Sequence, residues 1–143
     1  MLPGIQAILE TLSQQAHIDL GVLTGNFEHG ARQKLEHYEL NRFFDFGAYG
    51  DFHADRNDVA QEALKQIQQR HTSESLADTS IWVIGDTPSD IHCARAIGAN
   101  VIAVATGVYS LEELKACEPD YLFAHFEETE PVLALFQSAE KTA

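Results

Sequence analysis

Basic residues are scarce in this chain. Nine lysines and arginines stand against 22 aspartates and glutamates over 143 residues, a net charge of −13. So negative a surface argues against nucleic acid or an anionic membrane as partner, since both require a cationic face. Cysteine is almost absent: Cys93 and Cys117 are the only two. They lack the spacing of a metal knuckle or a redox pair and read as reduced thiols of a cytoplasmic protein. No apolar run approaches the length of a membrane span, and the opening Met-Leu-Pro-Gly has neither a basic n-region nor an apolar h-region. Repeats, linkers and low-complexity stretches are missing as well. With 45% hydrophobic and 22% charged residues the composition is that of an ordinary globular domain. The length suits one domain, residues 1–143.

What is present is a regular alternation of short apolar runs and amphipathic stretches. Pro3 suits a first helical turn, and Ile5, Ile8, Leu9 and Leu12 follow at helical spacing. Ile18 to Leu23 predicts a strand, Glu28 to Glu39 a helix, and Phe43, Phe44 and Phe46 a short aromatic strand closed by Gly47 and Gly50. A helix is expected from about Asn57 to Gln69, then a polar loop from His71 to Thr79. Ile81 to Ile84 predicts a buried strand, Asp90 to Ile97 a helix, and Val101 to Ala105 another strand. Ser110 with Glu113 has the form of a capping box. Tyr121 to Phe123 closes the strands, and Pro131 to Phe136 falls in a last helix. Buried strands separated by helices predict an α/β fold, a parallel sheet with helices on both faces.

Such sheets bind ligands beyond the carboxyl ends of their strands, and three of those ends carry chemistry. After Ile81–Ile84, the turn Gly85-Asp86-Thr87-Pro88-Ser89-Asp90 places two carboxylates four residues apart. Such a pair suits a hard divalent cation, Mg²⁺ above all, although Asp also serves in turns and at helix starts. After Leu23 come Thr24, Gly25 and Asn26, where a hydroxyl, a glycine and the N–H groups of a helix start form a small anion cradle. The same residues also make ordinary turns. A phosphate beside several carboxylates needs a cation to hold the charges close. Arg56, in the segment His53-Ala54-Asp55-Arg56-Asn57-Asp58, and Lys65 are candidate cations, although a surface ion pair to Asp55 or Asp58 is a plainer use of Arg56.

The run Gly-Asp-Thr-Pro-Ser-Asp-Ile-His-Cys-Ala-Arg-Ala-Ile-Gly-Ala, with the later Val-Ala-Thr-Gly-Val-Tyr-Ser, resembles the haloacid dehalogenase-like (HAD) hydrolases of the phosphoglycolate phosphatase-like group. The likeness extends from Pro3 to Phe136. It implies a Rossmann-like core and a Mg²⁺-dependent phosphomonoesterase acting on a small phosphorylated metabolite. Asp86 and Asp90 would serve the metal, and Thr24, Gly25, Asn26 and Arg56 the phosphoryl group, Thr24 and Arg56 as catalytic groups. The Lys-Pro pair more usual in the third motif is replaced here. A larger departure is the family's first motif, an Asp-x-Asp whose first Asp is the nucleophile and whose second is the general acid/base. It does not occur in this chain. The resemblance places Met1 where a helical cap domain returns to the core, so both the cap and the central first strand are missing.

Two readings follow: a phosphatase core that is inactive alone, and a truncated, non-catalytic member that binds phosphate or metal or serves as an interaction module. A signalling receiver domain is a more distant third. An N-terminal segment, a separate chain or a homo-oligomer would complete the sheet. The seven histidines (His17, His29, His37, His53, His71, His92 and His125) are scattered without metal-ligand spacing, and only His92 falls near the acidic turn. Trp82 reads as core.

Overall fold

Apolar residues at helical spacing and short β-branched runs set the order of elements in the computed structural model, which describes residues 4–15, 18–51, 53–70 and 80–141. Helix α1 (Ile5–Ser13) leads to strand β1 (Gly21–Leu23), helix α2 (Glu28–His37), a 3₁₀ turn (Asn41–Phe43), strand β2 (Phe46–Ala48) and helix α3 (Arg56–Arg70). Then come β3 (Trp82–Gly85), α4 (Pro88–Ala96), β4 (Asn100–Val104), α5 (Leu111–Lys115), β5 (Tyr121–Phe123) and α6 (Glu130–Lys141). Every strand pair is parallel, as the alternation predicts. Pro3 and the loop from His71 to Thr79 lie outside the described residues.

The strands divide into two sheets, β1-β2 and β3-β4-β5. Among the described residues β1 and β3 share no ladder, so each keeps one free edge. The two sheets are joined by helices. On one face Ile8 and Leu12 of α1 pack with Ile102, Val104, Phe126 and Val132, while Leu9 of the same helix packs with Leu40 and Phe43 beside β1 and β2. On the other face α4 and α5 cover the three-stranded sheet through Ile91, Ala94 and Leu114. There α3 covers the two-stranded one through Val59 and Ala63, and α3 packs against α4. Strand β4 is buried on both faces: Val101 and Ala103 face α4, while Ile102 and Val104 face α1 and α6.

Two predicted strands are trimmed. Ile18 and Leu20 are packed into the core, but the ladder of β1 begins only at Gly21, because its partner β2 is three residues long. The aromatic run does not form one strand. Phe43 is turned inward by the 3₁₀ turn, and pairing starts at Phe46. A short apolar run carries no periodicity with which to tell these states apart.

The last strands are tied by one side chain. The carboxylate of Asp120 accepts a hydrogen bond from the Val101 N–H at 2.8 Å and from Arg95 Nη1 at 2.9 Å. Burial opposes its charge, but the Val101 N–H and then the Arg95 guanidinium prevail and hold the carboxyl below the usual carboxylate range. The folded chain therefore holds this proton less tightly than the unfolded chain. The resulting stability is present above the unfolded pKa and is lost as pH falls through the folded one. Urea titrations at a series of pH values should show Asp120→Asn less stable than wild type near neutrality, by about 1 kcal/mol for a partly exposed pair. That gap should close in acid.

Candidate functional site at the carboxyl ends of β1 and β3

The turn after β3 owes its shape to Asp90. Thr87 is the N-cap of α4 and Pro88 its first residue. The Thr87 hydroxyl accepts from the Asp90 N–H, and Asp90 Oδ2 accepts from the N–H groups of Asp86 and Thr87, each at 3.0–3.1 Å. This is a capping box with an additional donor. A methyl group on Gly85 would overlap the Asp90 carboxylate, so the strand must end in glycine for the side chain to fold back over it. The second oxygen, Oδ1, receives Nη2 of Arg56. Asp90 is 8% exposed, and both its oxygens are committed to protein donors.

Sequence reasoning pairs Asp86 with Asp90 at a metal. The structure gives them different surroundings. No donor reaches the Asp86 carboxylate among the described residues, and its Oδ2 lies against the turn after β4. There a methyl built on Gly107 would stand only 2.5 Å away. Gly107 lies in the Val-Ala-Thr-Gly-Val-Tyr-Ser run quoted for the family resemblance, but its meeting with Asp86 appears only in the fold. His92 is exposed on α4 and joins no part of this arrangement.

Arg56 connects the two sheets. It is the first residue of α3 and pairs with neither Asp55 nor Asp58. Its stem instead crosses the turn after β1, where a methyl on Gly25 would stand 3.0 Å from the Arg56 Cδ, and its head reaches Asp90 beyond β3. The Arg56 Nε is buried with no partner among the described residues. Lys65, the alternative cation, falls in the middle of α3, well away from the strand ends.

Thr24 follows β1 directly. Its hydroxyl accepts the N–H of Asn26 at 3.1 Å, so that N–H is turned onto Thr24 and the hydroxyl proton is left to donate elsewhere. No acceptor meets the Gly25 N–H among the described residues. The turn is braced from β2: the Gly50 N–H donates to the Asn26 carbonyl at 2.9 Å, and a methyl on Gly50 would strike the Gly25 backbone. Asp51 accepts from the Glu28 N–H through both oxygens, at 2.9 and 3.1 Å. This fills the start of α2 with a carboxylate. Of the expected cradle, Thr24, Gly25 and Arg56 are brought together, and the Asn26 N–H is engaged within the turn. Beneath it Cys93 donates to the Asp90 carbonyl. Burial, more than the Asp90 charge and against the pull of Arg56, pushes this thiol up and keeps it protonated.

Magnesium keeps several waters and takes one or two protein carboxylates together with substrate oxygens. An open Asp86 carboxylate in a glycine cradle fits such an ion. Among the described residues no three His, Cys, Asp or Glu side chains gather to hold a metal alone, so the remaining ligands would come from solvent and substrate.

The two aspartates should therefore separate in a stability measurement. Asp90→Ala leaves a guanidinium and two N–H groups without their acceptor and should cost about 3 kcal/mol. Asp86→Ala removes a carboxylate with no donor and should stay within about 0.5 kcal/mol of wild type. Urea denaturation of both variants checks this; equal losses would place the two carboxylates in the same role.

A family model described as HAD-hydrolase-like matches residues 57–129, just over half of the chain. That stretch holds Asp86, Asp90 and Gly107 and begins one residue after Arg56. A phosphoglycolate phosphatase of Aliivibrio fischeri is 25% identical over 135 residues, 94% of this chain and 57% of its own length. One from Synechococcus elongatus is 25% identical over 122 residues, 85% of this chain and 54% of its own. The chain thus spans little more than half the length of the curated relatives it matches. The solved structure of a haloacid dehalogenase-like hydrolase from Streptococcus pneumoniae superposes with a TM-score of 0.78 at 29% identity, covering 94% of this chain and 59% of that one. Parallel strands, helical cover and the acidic turn after β3 all agree with the sequence match: this chain belongs to the HAD-hydrolase-like family.

Proposed function

We propose that this chain is the larger part of the core of a phosphomonoester hydrolase acting on a small phosphorylated metabolite. The observation that carries this reading is Arg56. Its head is anchored on Asp90 by one nitrogen, while a second, Nε, is buried without an acceptor beside the Thr24–Gly25 turn. A fixed cation with a spare buried donor, next to a free hydroxyl proton and an open backbone N–H, is suited to a phosphoryl group. The names of the two curated relatives agree with a phosphatase-type activity.

In this reading Thr24, the Gly25 N–H and Arg56 hold the phosphoryl oxygens and disperse the charge that grows on them during transfer. Asp90 keeps the guanidinium in place and takes no part in the chemistry. Mg²⁺ on Asp86 would supply Lewis-acid stabilisation of the transferring group. The nucleophile is an Asp carboxylate on an extended strand lying between the free edges of β1 and β3. It attacks phosphorus, the ester oxygen leaves with a proton from a neighbouring acid, and water then cleaves the aspartyl-phosphate. An upstream segment, a separate chain or a second copy would bring that strand. No Asp-x-Asp occurs among the 143 residues, an observation that also favours the second reading, a non-catalytic module that binds phosphate.

Calorimetric titration with orthophosphate tests the site. Saturable binding, weakened about tenfold by Arg56→Gln and by Thr24→Val, is expected, equivalent to about 1.4 kcal/mol for each lost contact. Absence of binding by wild type, or identical isotherms for wild type and Arg56→Gln, overturns the assignment. Turnover then separates the two readings. The chain alone should hydrolyse p-nitrophenyl phosphate no faster than buffer, and an added segment carrying Asp-x-Asp should restore Mg²⁺-dependent turnover. Phosphate binding without turnover once that segment is added would favour the module.

A further inference from the structure

Gly107 lies outside the left-handed region of backbone space, which among the glycines of the described residues is occupied by Gly4 and Gly98. Its torsion angles therefore do not require glycine. Space does: a methyl there would stand 2.5 Å from Oδ2 of Asp86 and 3.2 Å from its Cγ. Asp90 is fixed by three donors, but Asp86 has none among the described residues. With no donor to fix it, its carboxylate lies where a side chain at position 107 would intrude, so the bare backbone of Gly107 bounds the space it occupies. The residue before, Thr106, carries a hydroxyl that is buried and has no partner among the described residues. The residue after, Val108, is 96% exposed. Within three residues the turn passes from the interior to open solvent, with its middle against the free carboxylate.

We propose that the Thr106–Gly107 turn is part of the cation site at Asp86. Gly107 is a positioning residue that sets the reach of the Asp86 carboxylate, and the Thr106 hydroxyl is a hydrogen-bond partner for the hydration shell of the ion. This rests on the reading of Asp86 as a cation ligand. Groups that orient a metal-binding carboxylate commonly control affinity as strongly as the ligand's own environment does. A methyl at position 107 collides only with the far end of a side chain. Asp86 can swing aside and the fold survives, but the carboxylate loses its place. A buried hydroxyl without an acceptor or donor is likewise tolerated where a bound ligand or water supplies one.

The test is a Mn²⁺ titration of the chain, followed by loss of the free-ion electron paramagnetic resonance signal. Gly107→Ala should weaken binding about tenfold while melting close to wild type without the ion. Thr106→Val should weaken it by about the same factor, and Thr106→Ser should restore wild-type affinity. Gly30→Ala is the control, since a methyl at Gly30 on α2 meets nothing within 4 Å; it should leave affinity unchanged. Wild-type affinity in Gly107→Ala overturns the positioning role, and wild-type affinity in Thr106→Val overturns the role of the hydroxyl. No Mn²⁺ binding by wild type overturns instead the cation reading beneath both. Should Gly107→Ala fail to fold, the double variant Asp86→Ala/Gly107→Ala decides. Recovery of the fold upholds the contact, and its failure to recover rejects it.

Discussion

The ion pair of Arg56 with Asp90 joins the first residue of α3 to the first turn of α4, and the architecture of the site depends on it. The two helices lie over different sheets, α3 on β1-β2 and α4 on β3-β4-β5. No strand ladder among the described residues connects those sheets. Helix α1 packs on both sheets, and at their carboxyl ends the packing of α3 on α4 and this charged contact hold them together. Its side chains are 28% and 11% exposed, shielded enough for the pair to resist salt and for its loss to leave a costly unpaired charge. The ion pair also shapes the chemistry. Both oxygens of Asp90 accept from the turn donors and Arg56, whereas no donor reaches the Asp86 carboxylate among the described residues.

Glycines allow the rest of the site to close around that contact. Gly25 lets the Arg56 stem lie across the turn after β1, Gly50 lets the turns after β1 and β2 meet backbone to backbone, and Gly85 makes room for the Asp90 carboxylate. The walls are bare main chain at each of these points. A small anion can then approach N–H groups closely, which a wall of side chains would prevent. In the proposed reading the organic part of a substrate would find fewer contacts here. Selectivity among phosphate esters would come from groups outside these turns.

The positions of Thr24, Arg56 and Asp86 were legible in the sequence because each sits at a strand end or helix start, where turn residues mark the boundary. The capping box of Ser110 and Glu113 was read from its spacing and is present in the structure. Thr87 and Asp90 carry a similar signal, with Asp in place of Glu. The metal reading drew attention to that carboxylate as a ligand, and the structure shows that it also caps the helix start. Contacts distant in sequence were beyond reach. Arg56 could have paired with Asp55, Asp58 or Asp90, and only the packing of α3 on α4 selects the last. Gly107 shows the same limit: its run marks the resemblance, but nothing local points to its contact with Asp86. The trimmed β1 and the inward 3₁₀ turn at Phe43 failed for another reason: apolar side chains can be buried without their backbone joining a ladder.

The exposure of Ile84 brings these points together. It lies within β3, yet it is 37% exposed, whereas Val101 through Val104 of β4 are at most 2% exposed. The difference follows from neighbours. Strand β4 has one on each side and β3 only β4, so the interior position of β3 behaves as an edge. At β1, Gly21 is exposed in the same way. Arg56 touches both the Gly25 turn and Asp90, so the two strands deliver their carboxyl ends to the same side. An unpaired edge normally invites association unless charge, a bulge or a covering element blunts it. Here helices cover both faces, and among the described residues the edges themselves are uncapped. A segment entering between them would meet backbone donors and acceptors on either side. Running parallel to β1 and β3, it would end beside Thr24, Arg56 and Asp86. The same constraint that leaves the sheet divided thus directs any completing strand to the point where its last residues would meet the phosphate site proposed above.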